Sequence, residues 1–168
     1  MSESIFPRNT EYGEQLDLML RLAREAEMYV NEAVNVAEAN MKFTTKHDGT
    51  RVTKTDLAIN EYVIERVEME FPGVKIIGEE KSGGVEDADE AFVVDPIDGT
   101  AAFTWGVPTS MFSIGYTVNG ETKAAVLHDP FKRETIGAVK GEGVALLNHR
   151  RVTNFRADEY PIHVSGEA

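Results

Sequence analysis

Met111–His128 reads MFSIGYTVNGETKAAVLH. Two alternating runs, Met111–Val118 and Thr122–His128, flank Asn119-Gly120, and Asn-Gly between such runs is the strongest short hairpin signal in a sequence. Downstream, Glu134–Lys140 and Val144–Leu147 continue an antiparallel meander. Upstream, Val74–Ile77 and Ala91–Asp95 read as short strands, separated by a polar loop, Glu79–Glu90, that holds Gly83-Gly84. Ahead of them the period changes. Leu16, Leu20, Ala23, Val30, Val34 and Ala37 recur at helical spacing, and neither Pro nor Gly occurs between Glu14 and Lys42, so one amphipathic helix is expected over Glu11–Met41. Lys42–Thr53 reads as a loop. A second helix is expected over Asp56–Phe71, with Leu57, Ile64, Val67 and Phe71 on one face, and Pro72-Gly73 ends it. Helices first and antiparallel strands after predict an α+β fold, two N-terminal helices packed on a mainly antiparallel twisted sheet.

The 168 residues suffice for one domain and are too few for two large ones. A domain of this size buries roughly 70% of its unfolded surface, so it needs no metal or disulfide merely to hold together. No cysteine is present, which excludes a disulfide framework, thiolate zinc and a cysteine nucleophile. The start, MSESIFPRNTEYGEQ, has no apolar run, and no stretch approaches the ~20 apolar residues that span a bilayer. A cytoplasmic protein without a membrane partner is expected. With 17 basic against 29 acidic residues the net charge is −12, which repels phosphate backbones and argues against a nucleic-acid partner. An anionic small molecule remains admissible where cations lie between it and the protein.

The chemistry concentrates in Phe92–Thr100, FVVDPIDGT. An apolar strand delivers Asp95, Pro96 turns the chain, and Asp98 follows three residues on. Two carboxylates across a tight turn suit a hard, oxygen-seeking cation, and the Ile97 carbonyl can add a third oxygen. Gly99 lets a bound group approach the backbone, and a helix beginning at Thr100 would offer free N–H groups to an anion. Val74–Ile77 also ends in acid, Gly78-Glu79-Glu80. If the two strands are neighbours, Glu79, Asp95 and Asp98 point into one crevice. Taken singly, Asp-Pro, Asp-Gly and Glu-Glu are more often turns and solvated loops than ligands; it is their combination that points to a metal site.

Five segments stand in the order and rough spacing of the inositol monophosphatase family: VTKTD at Val52–Asp56, IIGEE at Ile76–Glu80, VVDPIDGT at Val93–Thr100, GVPTSMFSIG at Gly106–Gly115 and HDPFKRETIGAVKGEG at His128–Gly143. The chain resembles that family over residues 11–168, and DPIDGT is its specific signature. The resemblance implies two or three Mg²⁺ ions. Glu79, Asp95 and the Ile97 carbonyl would bind the first, Asp95 and Asp98 the second, and Glu79 would help a third. Asp56 and Thr100 would form the hydrogen-bonded pair that positions and deprotonates the attacking water. Gly99, Thr100 and Ala101 would offer backbone N–H groups to the substrate phosphate. The implied reaction is hydrolysis of a small phosphorylated metabolite, with inositol monophosphate first and fructose 1,6-bisphosphate, histidinol phosphate and 3′-phosphoadenosine nucleotides as alternatives. A homodimer is a further family expectation.

The same resemblance implies an α/β/α/β/α sandwich of which this chain would hold the first layers. Residues 1–10 are expected as a flexible start, 11–160 as the metal-binding domain and 161–168 as the opening of a further α/β domain. The family's second motif, a Trp-Asp pair whose Asp completes the second metal, has no match: Trp105, the sole tryptophan, precedes Gly106. Ala102 stands where many relatives have Asn. Lys46, ten residues before Asp56, is either the lysine the family often keeps near its site or a surface lysine. His47, His128, His149 and His163 lack ligand spacing and read as structural or surface residues, and His149-Arg150-Arg151 reads as a solvated turn.

Overall fold

The computed structural model describes residues 10–36, 42–47, 49–80, 89–142, 145–148 and 150–152. Helices α1 (Gly13–Asn35) and α2 (Lys54–Glu70) lie on one face of a seven-stranded sheet made of β3 (Lys75–Gly78), β4 (Glu90–Asp98), β5 (Met111–Val118), β6 (Glu121–Asp129), β7 (Glu134–Val139), β8 (Ala145–Leu147) and β9 (Arg150–Val152). The strands stand in chain order, and all neighbours are antiparallel except β3 and β4. A two-stranded hairpin, β1 (Phe43–Thr45) and β2 (Arg51–Thr53), precedes α2, and a five-residue helix α3 (Thr100–Thr104) follows β4. The fold is α+β, as the order of periodicities requires.

The core lies between the two helices and the sheet. Leu16, Met19, Leu22, Ala23 and Val30 of α1 and Ile59, Val63 and Val67 of α2 are buried with Phe92, Phe112, Ile114, Tyr116 and Val126 of the sheet. Phe92 sits at the centre, with ring centroids 5.5 Å from Phe71 and 5.0 Å from Tyr116, both tilted as aromatic quadrupoles prefer. Gly137 on β7 lets α1 down onto the sheet, since an added Cβ would come within 3.4 Å of Leu16 Cδ1 and Leu20 Cδ2. Arg21 of α1 grips Glu70 of α2 with both guanidinium nitrogens, at 2.9 and 2.6 Å. The other face of the sheet leaves Val93, Leu127 and Ile136 exposed.

The expected β5–β6 hairpin is present, with Asn119 and Gly120 at φ 52° and 75°, the left-handed pair that a two-residue turn matching strand twist needs. Several boundaries differ. Helix α1 covers 13–35: it starts two residues later than expected, since Tyr12 precedes it in a left-handed conformation, Val36 closes it with an N–H bond to the Glu32 carbonyl, and the expectation for 37–41 lies outside the described residues. Helix α2 begins two residues early because Thr53 caps it. Residues 42–53 were expected as a loop and form the β1–β2 hairpin, turned by bonds from Lys46 N–H to the Thr50 carbonyl and from Gly49 N–H to the Lys46 carbonyl. Arg150 and Arg151, expected in a solvated turn, belong to β9, paired with β8. Asn148 makes the turn instead: at φ 48°, its side-chain carbonyl accepts the Thr135 N–H at 2.7 Å. His128 is buried, its Nδ1 2.8 Å from Thr135 Oγ1 and its Nε2 3.3 Å from Glu27, so it is structural as expected. The expectations for 1–9, for 81–88, for His149 and for 153–168, His163 included, lie outside the described residues.

Candidate metal and phosphate site

Two strands bring the acids together. Asp95 lies opposite Ser113 and Asp98 opposite Met111, so three steps along β4 match two along β5. One residue is inserted at Pro96–Ile97, where Pro96 has no N–H to give the ladder. In an unbroken strand, residues three apart face opposite sides of the sheet. The bulge returns Asp95 and Asp98 to one cavity. Glu79 reaches it from the parallel neighbour: β3 ends at Gly78, and the Glu79 N–H donates to the Val94 carbonyl at 3.0 Å. The cavity measures about 310 Å³ and is lined by Gly49, Thr50, Arg51, Glu79, Asp95, Ile97, Asp98, Gly99, Thr100 and Ala101. All the residues expected to bind metal or phosphate therefore line one crevice.

Its electrostatics are those of acids short of positive charge. Burial, then the carboxylates of Glu79 and Asp98, push the Asp95 carboxyl up to about 7, although the Ile97 N–H donates to its Oδ1 at 3.1 Å. Burial also raises Glu80, whose Oε1 is buried without a hydrogen-bond partner. Lys46, on the β1–β2 hairpin, reaches Glu79 Oε1 at 3.0 Å and Glu80 Oε2 at 2.9 Å. Burial works against the charge on Lys46, but these two partners raise its pKa overall. Of the two expectations for Lys46, its place beside Glu79 and Glu80 agrees with a lysine near the crevice.

Among the described residues, no three acidic or histidine side chains stand close enough to enclose an ion as they are placed. Glu79 is turned toward Lys46, with its Oε1 3.0 Å from Nζ. The carboxylates share a place without sharing ligand distances. A divalent cation nevertheless fits this donor set. All its atoms are hard oxygens, Asp95 is raised by burial and then by neighbouring carboxylate charge that such an ion would offset, and Glu80 keeps an orphaned oxygen.

Beside the acids stands a hydrogen-bonded pair. Asp56 is fully buried in the first turn of α2, where it and Thr53 form a capping box: Thr53 N–H and hydroxyl donate to Asp56 Oδ2, and Asp56 N–H donates to Thr53 Oγ1 at 3.3 Å. The box leaves Oδ1 facing Thr100, whose hydroxyl is 3.3 Å away. Burial raises the Asp56 pKa, and the bonds from Thr53 and Thr100 pull against it. The Thr100 hydroxyl also lies 3.0 Å from the Ile97 carbonyl, so its one proton has two acceptors. Gly99 turns the chain into α3 at φ 87°, and the first N–H groups of that helix have no acceptor within it. Sequence reasoning passed over two residues that line the cavity, Thr50 and Arg51, and noted Glu80 only as part of an acidic pair. The β-branched and aromatic residues of Phe43-Thr-Thr and Arg51-Val-Thr, flanking Gly49, were the available sign of the hairpin that carries the first two.

The model of the inositol monophosphatase family matches residues 12–167. The chain belongs to that family. A Pasteurella multocida relative, called Nus factor SuhB, is 36% identical over 144 residues, which cover 84% of this chain and 53% of the relative. A Thermotoga maritima relative, called fructose-1,6-bisphosphatase/inositol-1-monophosphatase, is 31% identical over 141 residues, covering 83% and 52%. Among solved structures, the Thermotoga maritima IMPase superposes with a TM-score of 0.73 at 28% identity, covering 83% of this chain and 53% of that one. The inositol monophosphatase of Anabaena gives 0.68 at 26%, covering 85% and 50%. The chain thus has the inositol monophosphatase fold and spans about half the length of the relatives it matches. No helix among the described residues is long and apolar enough to cross a membrane.

Proposed function

We propose that this chain carries the metal- and phosphate-binding part of a Mg²⁺-dependent phosphomonoesterase acting on small phosphorylated metabolites. The observation that carries this reading is the one cavity in which Glu79, Asp95 and Asp98 meet the Gly99–Ala101 turn, with Thr100 bonded to the buried Asp56. Phosphate monoester hydrolysis is among the slowest uncatalysed reactions, so charge and position matter more than a covalent nucleophile. Glu79, Asp95, Asp98 and the Ile97 carbonyl would hold the ions. Magnesium, when bound, supplies the positive charge that acidifies a water and draws charge from phosphoryl oxygens.

The remaining work falls to the chain itself. Asp56, locked by Thr53, has its Oδ1 3.3 Å from the Thr100 hydroxyl, and would take the Thr100 proton as the Thr100 oxygen takes one from a water in the crevice, so that the proton ends on Asp56. Backbone N–H groups at the α3 turn would orient the phosphate. Inositol monophosphate is the first candidate substrate; the Thermotoga relative's name supports a sugar bisphosphate as the second. Binding of Mg²⁺ and phosphate without turnover is a separate reading, favoured by carboxylates that, among the described residues, share one crevice without standing at ligand distance.

Mg²⁺-dependent phosphate release from an aryl phosphate tests the proposal, measured on this chain and on one extended to the relatives' length. Release by either, lost on Thr100→Val by roughly 100-fold or more, supports the enzyme. Calorimetric Mg²⁺ uptake with no release by either leaves only the binding reading, and no uptake by either sinks both.

A further inference from the structure

A second cavity, of about 320 Å³, shares no residue with the carboxylate crevice and lies in the groove between α1 and α2. Glu25, Met28, Tyr29 and Glu32 of α1 line it with Tyr62 of α2. On α1 these four stand at i, i+3, i+4 and i+7, positions that a helix stacks on one face. The Tyr29 and Tyr62 rings, with centroids 5.8 Å apart and planes tilted by 44°, join the two helices. The Tyr62 phenol is hydrogen-bonded to Glu25, and burial, then that bond, push its pKa up to about 12, so it stays a neutral donor. Met28 lies open at the rim, 67% exposed.

Every polar feature of this groove calls for positive charge. Beyond its bond to Tyr62, Glu25 keeps an Oε2 that is buried without a hydrogen-bond partner. Arg21 and Arg66, the cations near it, both grip Glu70 instead. Glu32 stands in the last turn of α1, which holds no basic residue. The carbonyl end of a helix is already partly negative, so an acid there is unfavourable unless a cation offsets it. The faces of the two tyrosine rings are negative as well, through their quadrupoles. Glu25 and Glu32 are two turns apart, about 10 Å along the helix, too far to share one metal ion. Between them lie the thioether of Met28 and the Tyr29 ring. A linear molecule with positive ends and an apolar middle matches that order. We propose that the α1–α2 groove binds an aliphatic diamine or polyamine. One ammonium would sit beside Glu25 and the tyrosine faces and another beside Glu32, with methylenes over Met28. This site is independent of the phosphatase reading.

Calorimetry on the full chain at low salt tests this, with Mg²⁺ present so that amines do not simply take the place of a metal among the carboxylates. The probes are diaminooctane and octylamine, which share an apolar chain and differ by one charge. Diaminooctane should bind more tightly than octylamine by roughly two- to fivefold, the worth of one exposed charge pair. Glu32→Gln, at an exposed position, should bring diaminooctane down to the octylamine level and leave octylamine unchanged. Tyr29→Leu keeps an apolar side chain but removes a ring face, and should weaken both amines by roughly two- to fivefold. The Tyr29 and Tyr62 ring resonances of the wild type should shift along the diamine titration. Equal affinities for the two amines would overturn the proposal, as would no uptake of either. So would a diamine preference that survives Glu32→Gln. A preference that Asp95→Asn removes would move the amine to the carboxylate crevice, and the groove would then be empty of function.

Discussion

At the scale of single residues, the site is governed by charge held in excess. Asp95 shows it most directly: burial and the neighbouring Glu79 and Asp98 carboxylates raise its pKa from 3.8 to about 7. Because the folded value exceeds the unfolded one, stability is lost as pH rises from the unfolded value of 3.8 through the folded value of about 7, and the whole penalty is present above it. At pH 8 without metal, Asp95→Asn should therefore be no less stable than the wild type. A gain of about 1 kcal/mol is expected, since water reaching the crevice screens much of the repulsion. With Mg²⁺ the order should reverse. The wild type should rise in melting temperature as the ion neutralises the acids, while the Asn variant should barely respond. Thermal denaturation of both proteins with and without Mg²⁺ checks this. A wild type indifferent to the ion would argue against any cation among these carboxylates.

At the scale of elements, the site depends on how strands and helices are docked. The β4 bulge puts Asp95 and Asp98 on one side, and α2 brings Asp56 to Thr100 from across the core, 44 residues away in sequence. The long helix that backs the sheet sits close because Gly137 has no side chain. A Gly137→Val change would drive methyls against Leu16, Leu20 and Val126, whose atoms already stand 3.4–3.5 Å from where a Cβ would be. An overpacking cost of about 1–3 kcal/mol is expected in urea denaturation. Gly73→Ala is a different case: nothing lies within 4 Å of a Cβ there, and only the left-handed backbone at φ 92° resists it. It should cost about 1 kcal/mol. A reversed order of the two variants would mean that α1 is not pinned to β7 as described.

At the scale of the molecule, the sheet has one face under helices and, among the described residues, one face uncovered. Val93, Leu127 and Ile136 are each at least 40% exposed on β4, β6 and β7, neighbours of the same sheet or one strand removed. An apolar face of this kind attracts hydrophobic probes. The chain should enhance the fluorescence of an anilinonaphthalene dye, and Leu127→Glu with Ile136→Glu should remove most of that enhancement. Far-ultraviolet dichroism should stay unchanged, because these side chains are not in the helix-covered core. Persistent dye binding by the double variant would place the apolar surface elsewhere.

Much of this architecture was legible in the order of residues alone, because local signals and one dense motif agreed. Helical spacing followed by alternating strands required α+β, Asn119-Gly120 required a hairpin, and DPIDGT with IIGEE named the acids and the family. These are consequences of backbone stereochemistry and of residue type at short range. The β1–β2 hairpin pairs residues six to ten apart and had a local sign in the sequence, but the setting of Lys46 beside Glu79 and Glu80 and the approach of the Arg51 guanidinium to Phe43 and Trp105 came only from the tertiary structure. Lys46 and Arg51 there meet residues tens of positions away, which their spacing along the chain does not announce. Whether neighbouring acids lie at ligand distance or merely in one cavity was likewise decided by packing and repulsion in three dimensions, which a linear pattern of carboxylates does not encode.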